Sequence, residues 1–218
     1  MLFCYLYYNK EVNPAYQFGD QSQEICHFIA ANGYPPAAYQ QLFKQLDYGI
    51  KSPLLRPLWP DFPKPKIRSW FDFVDDLVPY VEQNKPKLVA GHSIGAILWV
   101  MYAIKYNYSF EKIVLIDPAL FPVWQCLVFK LCRIIGIHRK VHPLIPVTLR
   151  RQTTFRSKEE ILENYQKKRI FSRFSEKALV DYINSIFTKK DDQFRLCYSP
   201  EWEAVIYEYG LREDIEIW

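Results

Sequence analysis

One residue pattern in this chain is suited to covalent chemistry: a serine set between two glycines in Gly91-His92-Ser93-Ile94-Gly95. A serine hydroxyl becomes a nucleophile when a base takes its proton and when donors stand ready for the negative charge that its attack creates. The local pattern fits such use. The apolar run Lys87 to Ala90 reads as a buried strand, and Ser93 to Tyr106, apolar on most sides, reads as a central helix. A sharp strand-to-helix turn strains the serine backbone and crowds the neighbouring elements, so side chains at 91 and 95 would collide. The turn exposes Ser93 at the carboxyl end of a sheet and sets the Ile94 amide at a helix N-terminus, where it can donate to an oxyanion. A second donor is expected from the loop Ala31-Asn32-Gly33-Tyr34-Pro35, in which Gly33 permits close backbone approach and Tyr34 supplies the amide.

The base is harder to find. The chain has 4 histidines. His27 sits in an apolar run of strand type and reads as a core histidine. His92 neighbours the serine, but at such a turn its side chain points away from Ser93. His138 and His142 follow and could reach the serine from a covering segment. Asp117 ends the next apolar run and could serve as the acid, or Asp117-Pro118 could simply close a strand and begin a turn.

Positioning these residues requires alternating elements. Glu24 to Ala31, Ser52 to Leu58, Lys87 to Ala90 and Lys112 to Ile116 read as strands, and the first eight residues as another. Ala37 to Leu46, Trp70 to Glu82 and Ser93 to Tyr106 carry apolar residues at helical spacing. The alternation predicts an α/β fold, a mostly parallel sheet with helices on both faces. Beyond Pro118, Val123 to Ile135 is apolar and aromatic, Arg139 to Thr154 is basic and proline-punctuated, and Lys158 to Thr188 reads as two amphipathic helices. No strand is expected in this stretch. Glu201 to Trp218 is helical in pattern.

His27-Phe-Ile-Ala-Ala-Asn32-Gly33-Tyr34-Pro35, Gly91-His92-Ser93-Ile94-Gly95 and Val114-Leu-Ile-Asp117-Pro118-Ala119 resemble, in order, the matching segments of α/β-hydrolase-fold serine esterases and lipases. The resemblance implies a hydrolase core over residues 1–117, an inserted helical cap over 118–200 and a return to the core from 201 to 218. It implies Ser93 as nucleophile, the Tyr34 and Ile94 amides as oxyanion hole, and a carboxylic ester of an apolar acyl group as substrate, with no cofactor and no metal. That family carries an acidic residue and then a histidine on loops after later strands. Here the C-terminal core strands and the usual histidine are missing. The expectation is therefore a truncated hydrolase of weak or absent activity, or an inactive remnant that binds a ligand or partner.

Composition narrows the alternatives. The 218 residues, half of them apolar or aromatic, suffice for a sizeable core, and the net charge of +4 is modest. Between Arg139 and Arg173 ten Lys or Arg face three Glu. This run reads as a solvated helix face, with peripheral membrane contact through the cap as the alternative. No nucleic-acid motif accompanies it, and there is neither a Gly-x-Gly-x-x-Gly loop nor a Walker-type lysine for a nucleotide. The 5 cysteines are scattered, without zinc-ligand spacing, which fits a reducing, cytoplasmic setting. No stretch supplies the ~20 apolar residues of a membrane span.

Overall fold

The computed structural model describes residues 14–59 and 67–217, with side chains through 210. The strand expected in the first eight residues lies outside the described residues. The core runs β1 (Ala15–Phe18), β2 (Ile25–Ile29), α1 (Gln40–Phe43), β3 (Gly49–Pro53), α2 (Phe71–Asp76), α3 (Val78–Asn84), β4 (Leu88–His92), α4 (Ile94–Tyr106) and β5 (Lys112–Ile116). These strands form one sheet in the order β1-β3-β2-β4-β5, parallel throughout except for β1 against β3. The expected α/β architecture is present.

The two-residue period of a strand divides the core in two. Along β2 and β4, Cys26, Phe28, Leu88 and Ala90 face a cluster with Phe43 and Ile50. Ile29 and Val89 face the larger cluster of Phe73, Tyr80, Ile97 and Trp99. A strand buried on both faces must be apolar at consecutive positions, which is why Leu88-Val89-Ala90 shows no alternation. The central helix α4 buries Ile94 through Trp99 as well as Met101 and Tyr102. Trp99 is fully enclosed, and its indole N–H donates to the Ala90 carbonyl at 3.0 Å, so its burial leaves no orphaned donor. At the other edge of the sheet, β5 is exposed along its whole length.

The helix expected from Ala37 to Leu46 is shorter, a 3-10 turn at Pro36–Tyr39 followed by the single turn of α1. The strand expected at Ser52 to Leu58 begins earlier and stops at Pro53, and Arg56–Leu58 forms a 3-10 turn around Pro57. Proline cannot donate to a sheet ladder, which ends the pairing there.

The segment after Pro118 holds α5 (Val123–Ile134), α6 (His138–Val141), α7 (Ile145–Leu149), β6 (Thr154–Phe155), α8 (Lys158–Gln166), α9 (Glu176–Ile186), β7 (Phe187–Lys190) and β8 (Gln193–Leu196). The expectation of an uninterrupted helical stretch is corrected here, because β6, β8 and β7 form a small antiparallel sheet. The hairpin turns at Asp191 and Asp192, both at positive φ (49° and 55°), the backbone of a tight two-residue hairpin turn that aspartate tolerates. Phe155, Tyr165, Phe171, Tyr182 and Phe187 give this segment its own core, against which Tyr34 and Ala38 of the sheet domain pack. The chain then returns through α10 (Pro200–Ile217), whose Trp202 and Ile206 join the main core.

Candidate functional site around Ser93

The turn between β4 and α4 holds Ser93 at φ 55° and ψ −120°, a region L-residues rarely occupy, at a cost of about 1–3 kcal/mol that only close packing can sustain. That packing is visible at both glycines. A Cβ on Gly91 would stand 2.4 Å from the Gly95 carbonyl, and one on Gly95 would stand 2.2 Å from the Ile29 carbonyl oxygen. The helix therefore lies directly on β2, which fixes where the serine emerges. Ser93 N–H donates to the Ile116 carbonyl at 3.0 Å, and Ala119 N–H donates to the Ser93 carbonyl at 3.3 Å. The loop after β5 is thereby tied to the serine.

Ser93 and Ile94 open into a cavity of about 390 Å³ together with Asn32, Trp70, Asp117 and His142. Ile94 is the first residue of α4, so its N–H has no acceptor within the helix. Tyr34 does not line this cavity. Its N–H donates to the Ala31 carbonyl at 3.1 Å, and its ring packs on Tyr182 with centroids 4.9 Å apart. To meet an oxyanion that amide must first leave its turn bond. Asn32 is fixed at the cavity wall, donating through Nδ2 to the Glu203 carbonyl and accepting from the Tyr198 hydroxyl, each at 2.9 Å.

The candidate bases and acid fall in different places. His92 turns away from the serine: its Nδ1 lies 2.8 Å from the Tyr39 hydroxyl, which itself accepts from Ala31 N–H at 3.1 Å. Tyr39 thereby links the loop before Tyr34 to the serine turn. Burial lowers the His92 pKa, opposed by the Asp117 carboxylate. His138 is engaged with Glu208, Nε2 to Oε1 at 2.8 Å. His142, only 6% exposed, shares the cavity with Ser93. Its Nδ1 accepts from the amides of Leu144 and Ile145, 3.1 and 3.4 Å away, capping α7. In a neutral ring so engaged the proton sits on Nε2. Burial lowers the His142 pKa, so the neutral form is favoured. Asp117 leaves β5 at φ 41° and lines the same cavity.

Sequence reasoning missed Tyr39 and Glu203, and read Asn32 only as part of the loop that carries Tyr34. Tyr39 carried only the helical spacing of its run, and Glu203 only its place in a helical pattern. Glu203 is 4% exposed and holds Arg151 through two contacts of 2.8 Å, while its carboxyl carbon lies 3.0 Å from where a Cβ on Gly33 would stand. Gly33, at φ 76°, is thus required twice, by its backbone and by this neighbour.

Known proteins resemble the chain at the level of fold. At 17% identity it matches the crystal structure of E-2-(acetamidomethylene)succinate hydrolase with a TM-score of 0.63, over 91% of this chain and 69% of that one. It matches a thioesterase domain from the curacin biosynthetic pathway at 16% identity and TM-score 0.62, over 94% and 73%. The peroxisomal α/β-hydrolase Lpx1 of Saccharomyces cerevisiae matches at 12% identity and TM-score 0.62, over 94% of this chain and 62% of its own length. A search of curated protein sequences found no match. The family model described as serine aminopeptidase, S33, matches residues 64–186, more than half of the sequence. On that match, and with the fold shared by its structural relatives, the chain belongs to this family of α/β hydrolases.

Proposed function

We propose that the chain is a serine hydrolase acting on carboxylic esters of apolar acyl groups. The observation that carries this reading is the strained Ser93, held at φ 55° by close-packed glycines at the mouth of a cavity that also contains His142 and Asp117. Ser93 Oγ attacks the ester carbonyl and passes its proton to a base. The Ile94 amide, and the Tyr34 amide once released from Ala31, hold the oxyanion. The alcohol leaves with that proton, and water then cleaves the acyl-serine to regenerate the hydroxyl. His142 is the base this reading assigns, with Asp117 nearby as a negative charge. Accepting the proton requires the ring to give up its bonds to the Leu144 and Ile145 amides, so turnover is slow. Trp70, Pro118, Ala119 and Phe121 line the same cavity and favour an apolar acyl chain. The exposed stripe Trp124, Leu127, Leu131 and Ile134 on α5, each 54–76% exposed, supports the further reading of peripheral membrane contact through the cap.

The engagement of His142 Nδ1 as a helix cap also favours a second reading, an inactive hydrolase that binds a ligand in this cavity. Hydrolysis of p-nitrophenyl esters of short and long acyl chains separates the two. The first reading expects slow turnover, faster with longer chains, and a loss of at least about 10³-fold in Ser93→Ala. Turnover unchanged in Ser93→Ala would overturn it.

A further inference from the structure

A second cavity, of about 620 Å³, lies between the cap and the loop that carries Gly33 and Tyr34. It shares Leu144 and Tyr207 with the Ser93 cavity, so the two chambers adjoin at these residues. Its lining is of a different kind. Arg150, Arg151, Lys168 and Arg169 contribute four positive charges, against the single carboxylate of Glu203. Glu203 is committed to Arg151 through the two contacts of 2.8 Å, so it does not neutralise the other three cations. Tyr34, Tyr165, Phe171, Tyr182 and Tyr207 add aromatic rings to the lining. Lys168 Nζ stands 3.6 Å from the centroid of the Tyr165 ring, and Tyr165, 1% exposed, keeps a buried hydroxyl without a hydrogen-bond partner. Such a cavity has the size of a small-molecule site, and a surplus of cations beside tyrosine faces recognises an anion carried on an apolar or aromatic frame.

We propose that this chamber binds a carboxylate or phosphate group, and that the substrate turned over at Ser93 is an ester bearing such an anionic end. The second half rests on the reading of Ser93 as nucleophile; the first does not. Lys168, Arg169 and Arg150 make the anion contacts, because Arg151 is held by Glu203, and the tyrosine rings receive the adjoining apolar part.

Calorimetric titration of the full chain with phenyl phosphate, phenylacetate and the neutral control benzyl alcohol tests the site without requiring turnover. The site is supported if at least one anion binds, benzyl alcohol binds at least tenfold more weakly, Lys168→Gln and Arg169→Gln each weaken the anion about tenfold, and Ser93→Ala changes nothing. The stronger of the two anions identifies the group. Equal binding of benzyl alcohol, or anion binding indifferent to both substitutions, overturns the proposal. The substrate half is read from kcat/KM for a carboxylate-bearing phenyl ester against its neutral methyl-ester counterpart. A preference for the charged ester that is lost in Lys168→Gln supports it, and equal values overturn it while leaving the binding result standing. Absence of turnover with either ester, in protein that binds the anion, overturns the Ser93 reading and leaves the chamber as a binding site in its own right.

Discussion

The two chambers on either side of Leu144 and Tyr207 are built by opposite means. Around Ser93 the geometry comes from contact: backbones meet at Gly91 and Gly95, and the wall is largely apolar. In the larger chamber it comes from charge, with the largely buried Arg151–Glu203 pair beside further cations and tyrosines that line the space. A site made by close packing positions one atom accurately and tolerates no added volume. A site made by charge tolerates shape changes but depends on protonation and on keeping its buried carboxylate paired. Substitutions and pH should therefore injure the two chambers in different ways.

The largest effect is expected at Gly95. In Gly95→Val the new Cβ meets the Ile29 carbonyl oxygen, a backbone atom that cannot step aside, and neither cooperative thermal unfolding nor near-ultraviolet dichroism should remain. A folded Gly95→Val would break the contact half of the comparison. Next comes Arg151→Met, which strands the Glu203 carboxylate in the interior and should cost about 3–5 kcal/mol in urea denaturation. Pairing it with Glu203→Leu should recover most of that loss, since no buried charge then remains.

Acid should act on the sheet side. His27, against Tyr80 at 2.6 Å, is pushed down to about 4 by burial, with the Lys51 charge adding to the effect. Between pH 4 and 6.5 the unfolded chain therefore binds the extra proton. Stability is full above pH 6.5 and falls as the pH drops through that window, by about 3 kcal/mol at the lower end. His27→Asn, which cannot take the proton, should reduce the slope in denaturation measured at pH 4.5 and 7, leaving the part that the partly buried His92 and the buried His142 contribute.

Alkali should act on the cap chamber, with the smallest effect. Burial and the neighbouring Arg151 charge lower Lys168 to about 8, with Glu203 opposing. Arg169 also lines the chamber, and Tyr165, pushed up to about 12, stays neutral there. Anion affinity should thus fall up to about tenfold, or 1.4 kcal/mol, as the pH rises from 7 to 9. Titrations at the two values should show no such fall in Lys168→Gln.

How much of this was legible in the sequence follows the same division. Gly91, Ser93 and Gly95 announce themselves because a strained strand-to-helix turn restricts residue type at fixed spacing, and β2, β4 and β5 because strands in a parallel sheet read as short apolar runs. The cap was harder. Arg151 and Lys168 looked like members of a solvated basic run, and only the fold brings them against Glu203, 52 residues from Arg151. The hairpin of β7 and β8 went unread, because its Asp191-Asp192 turn carries no glycine and polar residues such as Lys189 and Gln193 hide the strands beside it. Histidine roles were the least accessible. Whether His142 serves as cap or base depends on which amides meet Nδ1, and no spacing encodes that.

Whether Ser93 is a reactive nucleophile is read most directly by labelling the intact chain with a fluorophosphonate probe, followed by peptide mass spectrometry. A single adduct is expected on the peptide carrying Ser93, slow to form because His142 must leave its capping bonds, absent in Ser93→Ala and slower still in His142→Gln. A folded protein that takes up no probe at Ser93, or that is labelled equally in Ser93→Ala, would contradict the reading of Ser93 as nucleophile.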